Sequence, residues 1–410
     1  MTTADTLWPR AIILMDMNAF FASVEQLDHP EWQGRPIAIT NGRRGSTIIT
    51  CSYEARAWGI KTGMRLKEAR LHCPQLIQAP SRPQRYVKVS TAIMQALESF
   101  TPDIEIFSVD EAFLDITRCQ QLLGPPAVIA RQVKQAVLQT SGILCSVGVS
   151  GDKTTAKYAA KLHKPDGLTI IPPWEAEDAL SNAPVTALCG INKGIGKYLR
   201  QRGVTYCGEM KNIPVSELAR RFGNPGRRIW LMAQGKDPEA VITEIAAPKS
   251  MGHGKVIPPD TGERSVLLTY YRHMSEKVGY RLRKHQLKAH SFYIGLKTGQ
   301  QWLKSRSRVA EPTDDGKIIY IQCVAFLDHY WHGEGCFQVQ VTALDPQPAQ
   351  QQQSLFAIDN SKREGVNRVM DAVNERYGEY TLTPVRLLER SDMPNVIAPA
   401  WKPNGHRQTI

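Results

Sequence analysis

The sequence predicts a multidomain protein of the α+β class. Its 410 residues suffice for two to four domains, and short apolar strands alternate with amphipathic helices over residues 1–175. A mostly helical segment follows at 176–240, and residues 251–345 again mix helix and strand. Over the first 175 residues the pattern by itself leaves both an α/β and an α+β domain open.

The elements of the first region follow from their apolar spacing. AIILMD (11–16) predicts a buried strand that ends in an acid, and NAFFASVEQL predicts a helix with Asn18 as its N-cap. RPIAIT and STIITCSYEARAWGI predict short strands that lead into a helix. IEIFSVDEAFLDIT alternates as a strand hairpin does, PAVIARQVKQAVLQTSG is an amphipathic helix, and LCSVGVS is a further strand.

The sequence also predicts helices and a strand in the second half of the chain. An apolar stripe at helical spacing predicts a helix with one buried face; its members are Leu267, Tyr271, Met274, Val278 and Leu282. CFQVQVTAL alternates like a half-buried strand. From DPQPAQQQQ onward the chain is of low complexity, and SKREGVNRVMDAVNERYG predicts one more helix within that tail.

Composition narrows the class of protein. The hydrophobic fraction of 42% is ordinary, and no apolar run approaches the roughly 18 residues of a membrane span. The eight cysteines contain no C-x-x-C pair, which disfavours a zinc site or a disulfide framework. Since MTTADTLWPR also lacks the layout of a secretory signal, we expect a cytoplasmic protein with reduced thiols.

The net charge of +12 is concentrated in one segment. Residues 248–308 carry 13 Lys and Arg against three acids, a local excess of ten positive charges. A solvated surface usually mixes charges of both signs, so an excess of this size favours a polyanionic partner, most simply a nucleic-acid backbone.

Two adjacent acids, Asp110 and Glu111, interrupt the apolar stretch FSVDEAFLDI. Neighbouring side chains on a strand point to opposite faces, so both reach one site only where the pleat is broken, at a turn or a strand end. With Asp16 they form a candidate cluster of oxygen ligands, which favours Mg²⁺. Alternatively, these acids cap turns or pair with Arg.

Four stretches resemble the signature segments of the Y-family, or translesion, DNA polymerases. They are LMDMNAFFASVEQ, SYEARAWGIKTGM, FSVDEAFLDI and VGVSGDKTTAKYAAKLHKPDGL, in the order and spacing of that family. The resemblance covers about residues 10–345. It extends both to bacterial polymerase IV and to the catalytic subunit of polymerase V, and the sequence leaves that choice open.

The resemblance implies a right-hand architecture with a ferredoxin-like palm and an α/β little finger. The expected regions are the palm (1–24 and 86–178), the fingers (25–85), a helix-hairpin-helix thumb (179–240), a linker (241–250), the little finger (251–345) and a tail (346–410). The implied function is low-fidelity, template-directed synthesis past damaged bases. In that reaction a primer 3′-OH attacks the α-phosphorus of a dNTP and pyrophosphate leaves.

The resemblance also implies roles for single residues. Asp16, Asp110 and Glu111, with the main-chain carbonyl of Met17, would hold two Mg²⁺ ions, and Glu111 would act in catalysis at the primer end. Many relatives carry a second acid two residues after the first, but here that position is Asn18. We therefore do not expect residue 18 to be a ligand.

The incoming nucleotide would be held by five further residues. Phe20, Phe21, Tyr53, Arg56 and Lys164 occupy the matching positions. Phe21 falls at the steric gate, where an aromatic ring leaves no room for a ribose 2′-hydroxyl. VGVSGDKTTAK is not a P-loop, because Asp152 stands where that motif needs Gly before its Lys.

DNA would be gripped by the thumb and the little finger. GINKGIGKYLRQRG resembles a helix-hairpin-helix, with Gly194 and Gly196 expected just before a helix and Lys197 beside them. In the basic segment, Arg283, Lys284 and Lys288 are expected to contact the phosphate backbone.

The polar tail holds the peptide QQSLF. Gln352, Leu355 and Phe356 match the spacing of peptides that bind the bacterial sliding clamp. We expect a monomer that binds primer–template DNA, dNTPs and the clamp, without a membrane; other SOS mutagenesis subunits are further candidate partners.

Two alternative functions make different predictions. A non-catalytic, clamp-bound scaffold would lack the acids, yet all three are present. A nucleotide cyclase with a similar palm would have no use for the basic segment, the thumb glycines or the clamp-like peptide.

Overall fold

The structure is a computed structural model that describes residues 7–43, 45–349, 361–390 and 402. Contacts between residues divide the chain into two compact units, Met1–Ile245 with Met393–Ile410, and Ala246–Asp392. Both units combine helices with sheets, so the predicted α+β class is confirmed. Within the described ranges, every helix is too short or too polar to cross a bilayer.

The first unit holds eight strands and eleven α-helices in its described residues. The strands are β1 (Ile12–Met17), β2 (Ile37–Thr40), β3 (Ile48–Cys51), β4 (Ile77–Pro80), β5 (Ile104–Ile106), β6 (Glu111–Asp115), β7 (Cys145–Ser150) and β8 (Leu168–Ile170). The helices are α1 (Phe20–Asp28), α2 (Tyr53–Ala57), α3 (Leu66–His72), α4 (Pro83–Leu97), α5 (Gln120–Leu123), α6 (Pro126–Ser141), α7 (Lys153–Leu162), α8 (Ala176–Ser181), α9 (Lys193–Arg200), α10 (Val215–Phe222) and α11 (Asn224–Met232).

A five-stranded sheet with the order β5-β6-β1-β7-β8 lies between two layers of helices. The central strand β1 is antiparallel to both β6 and β7. Ile13 and Met15 pack with side chains of α4 and α6, whereas Ile12 and Leu14 face α7. Because both faces are covered, all six residues of β1 are buried, which explains its nearly unbroken apolar sequence.

Two smaller substructures complete the first unit. Residues 37–80 contain a three-stranded sheet, β3-β2-β4, and a separate core that includes side chains of α2 and α3. The predicted helical segment contains α8 to α11, which surround a third core built on residues such as Leu199 and Leu218.

Two local expectations are wrong. Asn18 does not cap α1: the N-cap is Ala19, in a left-handed conformation, and the Asn18 Oδ1 instead accepts a hydrogen bond from Ser146 Oγ at 2.9 Å. Gly194 and Gly196 do not precede α9 but lie in its first turn, because Asn192 begins the helix by accepting from the Ile195 N–H at 2.9 Å.

The second unit contains β9 (Met251–Thr261), α12 (Arg264–Lys284), β10 (Leu287–Thr298), β11 (Trp302–Thr313), α13 (Gly316–Tyr330), β12 (Cys336–Ala343), β13 (Gln347–Pro348) and α14 (Ser361–Tyr377). Its sheet has the order β11-β10-β12-β9, and β13 pairs with the start of β10. The core of this unit combines α12 and α13 with one face of the sheet. All five members of the predicted apolar stripe in α12 are fully buried.

The residues around α14 are part of this unit. The sequence predicts a tail from residue 346, whereas residues 361–390 contact α12 and its neighbours. Asp371 binds Arg283 with both carboxylate oxygens, at 2.6 and 2.8 Å. Glu364 binds Lys288 at 2.7 Å. Acidic side chains of α14 therefore neutralise part of the basic segment.

Candidate active site

The three acids singled out in the sequence lie at adjacent strand ends. Asp16 in β1 is the register partner of Glu111, the first residue of β6, and Asp110 immediately precedes that strand. The Met17 N–H donates to the Asp110 carbonyl at 2.9 Å, which ties the two strand ends together. Because the regular pleat begins only at Glu111, the alternation of side chains does not separate the two neighbouring acids.

Burial and repulsion between carboxylates disfavour the ionised forms of Asp16 and Asp110. Burial, with the neighbouring Glu111 carboxylate, raises the pKa of the Asp16 carboxyl to about 7. Burial and the same neighbour also raise the pKa of Asp110. The Ser108 hydroxyl opposes that shift by donating to Asp110 Oδ1 at 2.5 Å.

Two lysine ammonium groups contact this cluster. Lys164 Nζ lies 2.5 Å from Asp16 Oδ1, and Lys157 Nζ lies 2.6 Å from Glu111 Oε1. Lys164 is a predicted triphosphate contact, whereas Lys157 and Ser108 are not among the predicted site residues. A sequence signal for both was present, since Lys157 lies in the signature stretch VGVSGDKTTAKYAAKLHKPDGL and Ser108 lies in FSVDEAFLDI.

The donor set suits a hard cation. In the part of the chain that the structure describes, no three His, Cys, Asp or Glu side chains are already grouped as metal ligands. The buried carboxylates nevertheless need compensating positive charge, and the two lysines now supply it. A hard divalent cation such as Mg²⁺ would stabilise the ionised forms of Asp16 and Asp110, whose pKa values are raised, and Glu111 adds a third carboxylate, so the donor set fits a divalent ion.

The two adjacent phenylalanines at the start of α1 have different surroundings. Phe20 is 3% exposed and lies in the core, so its side chain is not placed to contact a nucleotide. Phe21 is half-buried, and its ring stacks on Tyr86 with 4.3 Å between centroids and 13° between planes. The helical offset of about 100° between successive residues explains this division.

Tyr53 and Arg56 lie on the short helix α2. The Arg56 guanidinium is 4.5 Å from the centre of the Tyr53 ring. The Tyr53 hydroxyl is buried without a hydrogen-bond partner among the described residues. A buried hydroxyl of this kind normally has a partner, so this group is available to a ligand oxygen.

The expected DNA contacts in the thumb are only partly accessible. Gly194 and Lys197 are exposed at the start of α9. Gly196 is buried, and a Cβ added there would lie 2.5 Å from Thr186 Cγ2. Gly196 therefore serves close packing, whereas Gly194 leaves the helix terminus open to a phosphate.

The basic segment presents cations on two different surfaces. Arg283 and Lys288 bind the acids of α14, while Lys284 is exposed. Lys304, Arg306 and Arg308 alternate as exposed residues along β11. Their register partners on β10 are Gly295, Tyr293 and Ser291, which alternate with the core residues Phe292, Ile294 and Leu296. The three cations therefore share the sheet face away from the core.

The clamp-like peptide cannot be placed. Gln352, Leu355 and Phe356 lie outside the described residues.

Comparison with known families gives two matches. The impB/mucB/samB family matches residues 15–161, and the C-terminal domain of that family matches residues 248–355. The first match includes the acid cluster, and the second includes the basic segment.

Individual proteins are similar over most of the chain. DNA polymerase IV of Moorella thermoacetica is 33% identical over 377 residues, which cover 90% of this chain and 94% of that protein. DNA polymerase IV of Shewanella woodyi is 40% identical over 245 residues, 59% of this chain and 67% of that protein. A solved Y-family DNA polymerase chimera of Dbh and Dpo4 is 26% identical, with a TM-score of 0.71, covering 82% of this chain and 98% of the chimera.

Proposed function

The chain belongs to the impB/mucB/samB family of Y-family DNA polymerases, and we propose that the acid cluster at the ends of β1 and β6 is its polymerase active site. The predictions of a DNA-directed DNA polymerase and of translesion synthesis are confirmed by these relationships. The observation that carries the site assignment is the pairing of Asp16 with Glu111 beside Asp110. Nothing among the relatives supports the alternative of a non-catalytic scaffold.

Family membership implies metal-dependent nucleotidyl transfer, and we propose Mg²⁺, bound as two ions. The residues that would hold it are Asp16, Asp110 and Glu111, with the main-chain carbonyl of Met17. When bound, the metal supplies positive charge to the phosphate oxygens and to the attacking hydroxyl. Binding requires the Lys164 and Lys157 ammonium groups to give up their carboxylate partners at least in part.

Three side chains would hold the triphosphate. Arg56 offers planar paired donors, Lys164 offers a point charge, and the Tyr53 hydroxyl, which has no partner within the described ranges, offers one further donor. These groups fix the α-phosphorus relative to the primer end, and such positioning lowers the barrier without covalent chemistry by the protein.

Sugar selection is assigned to Phe21. Its ring is half-buried at the start of α1, four residues after the end of the acid-bearing strand. Tyr86 supports one face of the ring, and this leaves the ring no freedom to retreat toward α4. A ribose 2′-hydroxyl would therefore meet a fixed aromatic surface.

Family membership also implies template binding, and we propose that two surfaces carry it. The start of α9, with Gly194 and Lys197, would bind a backbone phosphate. The sheet face with Lys304, Arg306 and Arg308 would lie along the duplex, in place of Arg283 and Lys288. Contacts with backbone phosphates do not depend on the base sequence, and a polymerase must bind DNA of any sequence.

The acid cluster is tested by primer extension with Asp110→Ala on damaged and undamaged templates. We expect the rate to fall at least about 100-fold on both, since a group that stabilises transition-state charge is worth that much. Glu98→Ala, which removes an exposed acid, serves as the control and should extend normally. Normal extension by Asp110→Ala would contradict the site assignment.

We further propose that the peptide at 352–356 binds the sliding clamp, as its spacing predicts. Deleting these residues should reduce clamp-stimulated synthesis and leave the clamp-free rate unchanged. The measurement is extension with and without the clamp, with the double substitution Gln353→Ala and Ser354→Ala, which keeps Gln352, Leu355 and Phe356, as the control. Equal stimulation of both proteins would refute the docking. A cytoplasmic location and a monomeric state remain predictions.

A further inference from the structure

A buried tyrosine of α4 contacts two residues on one face of α1. Phe21 and Glu25 are four residues apart, and residues at this spacing lie one helical turn apart on the same side. The Tyr86 ring stacks on Phe21 with 4.3 Å between centroids. The Tyr86 hydroxyl donates to Glu25 Oε1 at 2.7 Å. The Tyr86 ring thus contacts the proposed gate residue Phe21 with one face, and its hydroxyl is hydrogen-bonded to Glu25.

The Glu25 carboxylate is itself held at both oxygens. Arg82, one turn before Tyr86, donates from Nε to Oε1 at 2.9 Å and lies 2.7 Å from Oε2 through Nη2. The Glu25 side chain is only 2% exposed, whereas that of Arg82 is 37% exposed. A buried carboxylate bound by a planar guanidinium and a phenol has little freedom to move. The position of the Tyr86 ring is therefore determined by charge-assisted hydrogen bonds as well as by packing.

This arrangement controls how far the gate ring can shift. Because the two stacked rings are in van der Waals contact, the Phe21 ring can move toward α4 only if the Tyr86 ring moves as well. The hydrogen bond to Glu25 restrains Tyr86, and the stacking transfers the restraint to Phe21. Ribose and deoxyribose differ by one oxygen, so displacement of the gate by a fraction of an ångström is enough to admit the wrong sugar.

We propose that Glu25, acting through Tyr86, is a positioning residue that sets the stringency of sugar selection at Phe21. The inference rests on the proposed function of Phe21 and adds two residues that contact neither the metal ligands nor the primer in that proposal. Arg82 supports Glu25 in the same unit and completes the path from the partly exposed surface of α4 to the gate.

The test compares kcat/KM for a dNTP and for the matching rNTP on one undamaged primer–template. The variants are Phe21→Val, Glu25→Gln, Tyr86→Phe and the double variant Phe21→Val with Glu25→Gln. Tyr86→Phe removes one oxygen and keeps the packed ring, so it should fold even if Glu25→Gln does not. Arg85→Ala is the matched control, because Arg85 ties α4 to α1 through Asp28 at 2.6 and 2.8 Å.

We expect Glu25→Gln and Tyr86→Phe to lower the dNTP:rNTP ratio about tenfold, mainly by raising rNTP use, which is the size of effect that one small group has in a specificity pocket. Arg85→Ala should leave the ratio unchanged. In the double variant, Glu25→Gln should add nothing to Phe21→Val, because a residue that acts through the gate has no effect once the gate is gone.

The outcomes separate the two proposals. An unchanged ratio in Phe21→Val removes the gate assignment itself. A relaxed ratio in Phe21→Val with wild-type ratios in Glu25→Gln and Tyr86→Phe overturns the positioning role and leaves the gate assignment intact. An effect of Glu25→Gln that persists undiminished in the double variant also overturns it, since Glu25 would then act by another route.

Discussion

Asp16 shows most directly how position changes the chemistry of a residue. On the surface its carboxyl would be ionised at neutral pH, but burial and the Glu111 carboxylate raise its pKa to about 7. A carboxyl whose pKa is raised by folding holds its proton more tightly in the native state. Its contribution to stability is therefore largest below its unfolded pKa and is lost as the pH rises through about 7. Above that pH the ionised site needs a cation.

This linkage predicts that divalent metal binding weakens as the pH falls. One proton must leave Asp16, so affinity should drop by up to about tenfold per pH unit below the raised pKa. The measurement is Mn²⁺ binding followed by electron paramagnetic resonance without nucleotide, across roughly neutral pH. Asp16→Asn should bind weakly with little pH dependence. Wild-type affinity that does not vary with pH would contradict the assignment of this carboxyl.

Helix α14 shows how an element changes the role of the residues beneath it. Read along the chain, Arg283 and Lys288 belong to a basic segment suited to DNA. In the fold, both face acids of α14, and Arg283 also donates to the Asp314 carbonyl at 2.6 Å. The side chains of Arg283 and Asp371 are 12% and 19% exposed, so their ion pair is well shielded from water. We therefore interpret α14 as a structural part of the second unit.

Asp371→Asn should loosen α14. Loss of a shielded, two-point ion pair with Arg283 should cost about 1–3 kcal/mol. The measurement is hydrogen exchange of the amides in α12 and α14, which reports on this region alone. The control is Asp328→Asn, whose exposed pair with Arg264 should contribute less than about 1 kcal/mol. Equal exchange in the two variants would argue against a structural role for α14.

At the scale of the whole molecule, the positive residues behind the net charge of +12 differ in how far they are exposed to a nucleic-acid partner. The face of β11 leaves Lys304, Arg306 and Arg308 exposed, while other cations of the second unit, such as Arg283 and Lys288, are paired with acids of α14. Lys277 binds Glu379, and burial lowers its pKa to about 8. Only the exposed cations can release counterions from a nucleic acid.

The salt dependence of DNA binding should therefore be determined mainly by the exposed cations of β11. Replacing Lys304, Arg306 and Arg308 by Gln should reduce the slope of log affinity against log salt by about 2.7, since each phosphate contact contributes about 0.9. Fluorescence anisotropy of a primer–template measures this. Replacing Arg283 and Lys288 by Gln is the comparison, and it should change the slope little. A larger change in that comparison variant would instead favour phosphate contacts by Arg283 and Lys288.

The sequence by itself determined the fold class, most elements and the family. Apolar periodicity located β1, the β5–β6 hairpin and α12, because burial of one face imposes that spacing. Motif residues identified Asp16, Asp110, Glu111 and Phe21, because the chemistry proposed for the site restricts those positions to few residue types. Neither signal depends on knowing the neighbours of a residue in space.

Only the tertiary structure decided which residues support the site and which cations are available. Lys157 and Ser108 bind carboxylates of the acid cluster, and Tyr86, which is held by Glu25 and Arg82, stacks on Phe21. The pairing of Arg283 with Asp371 joins residues 88 positions apart. Such long-range contacts form when packing brings separate segments together, so charge and exposure at a single position are properties of the fold and not of the local sequence.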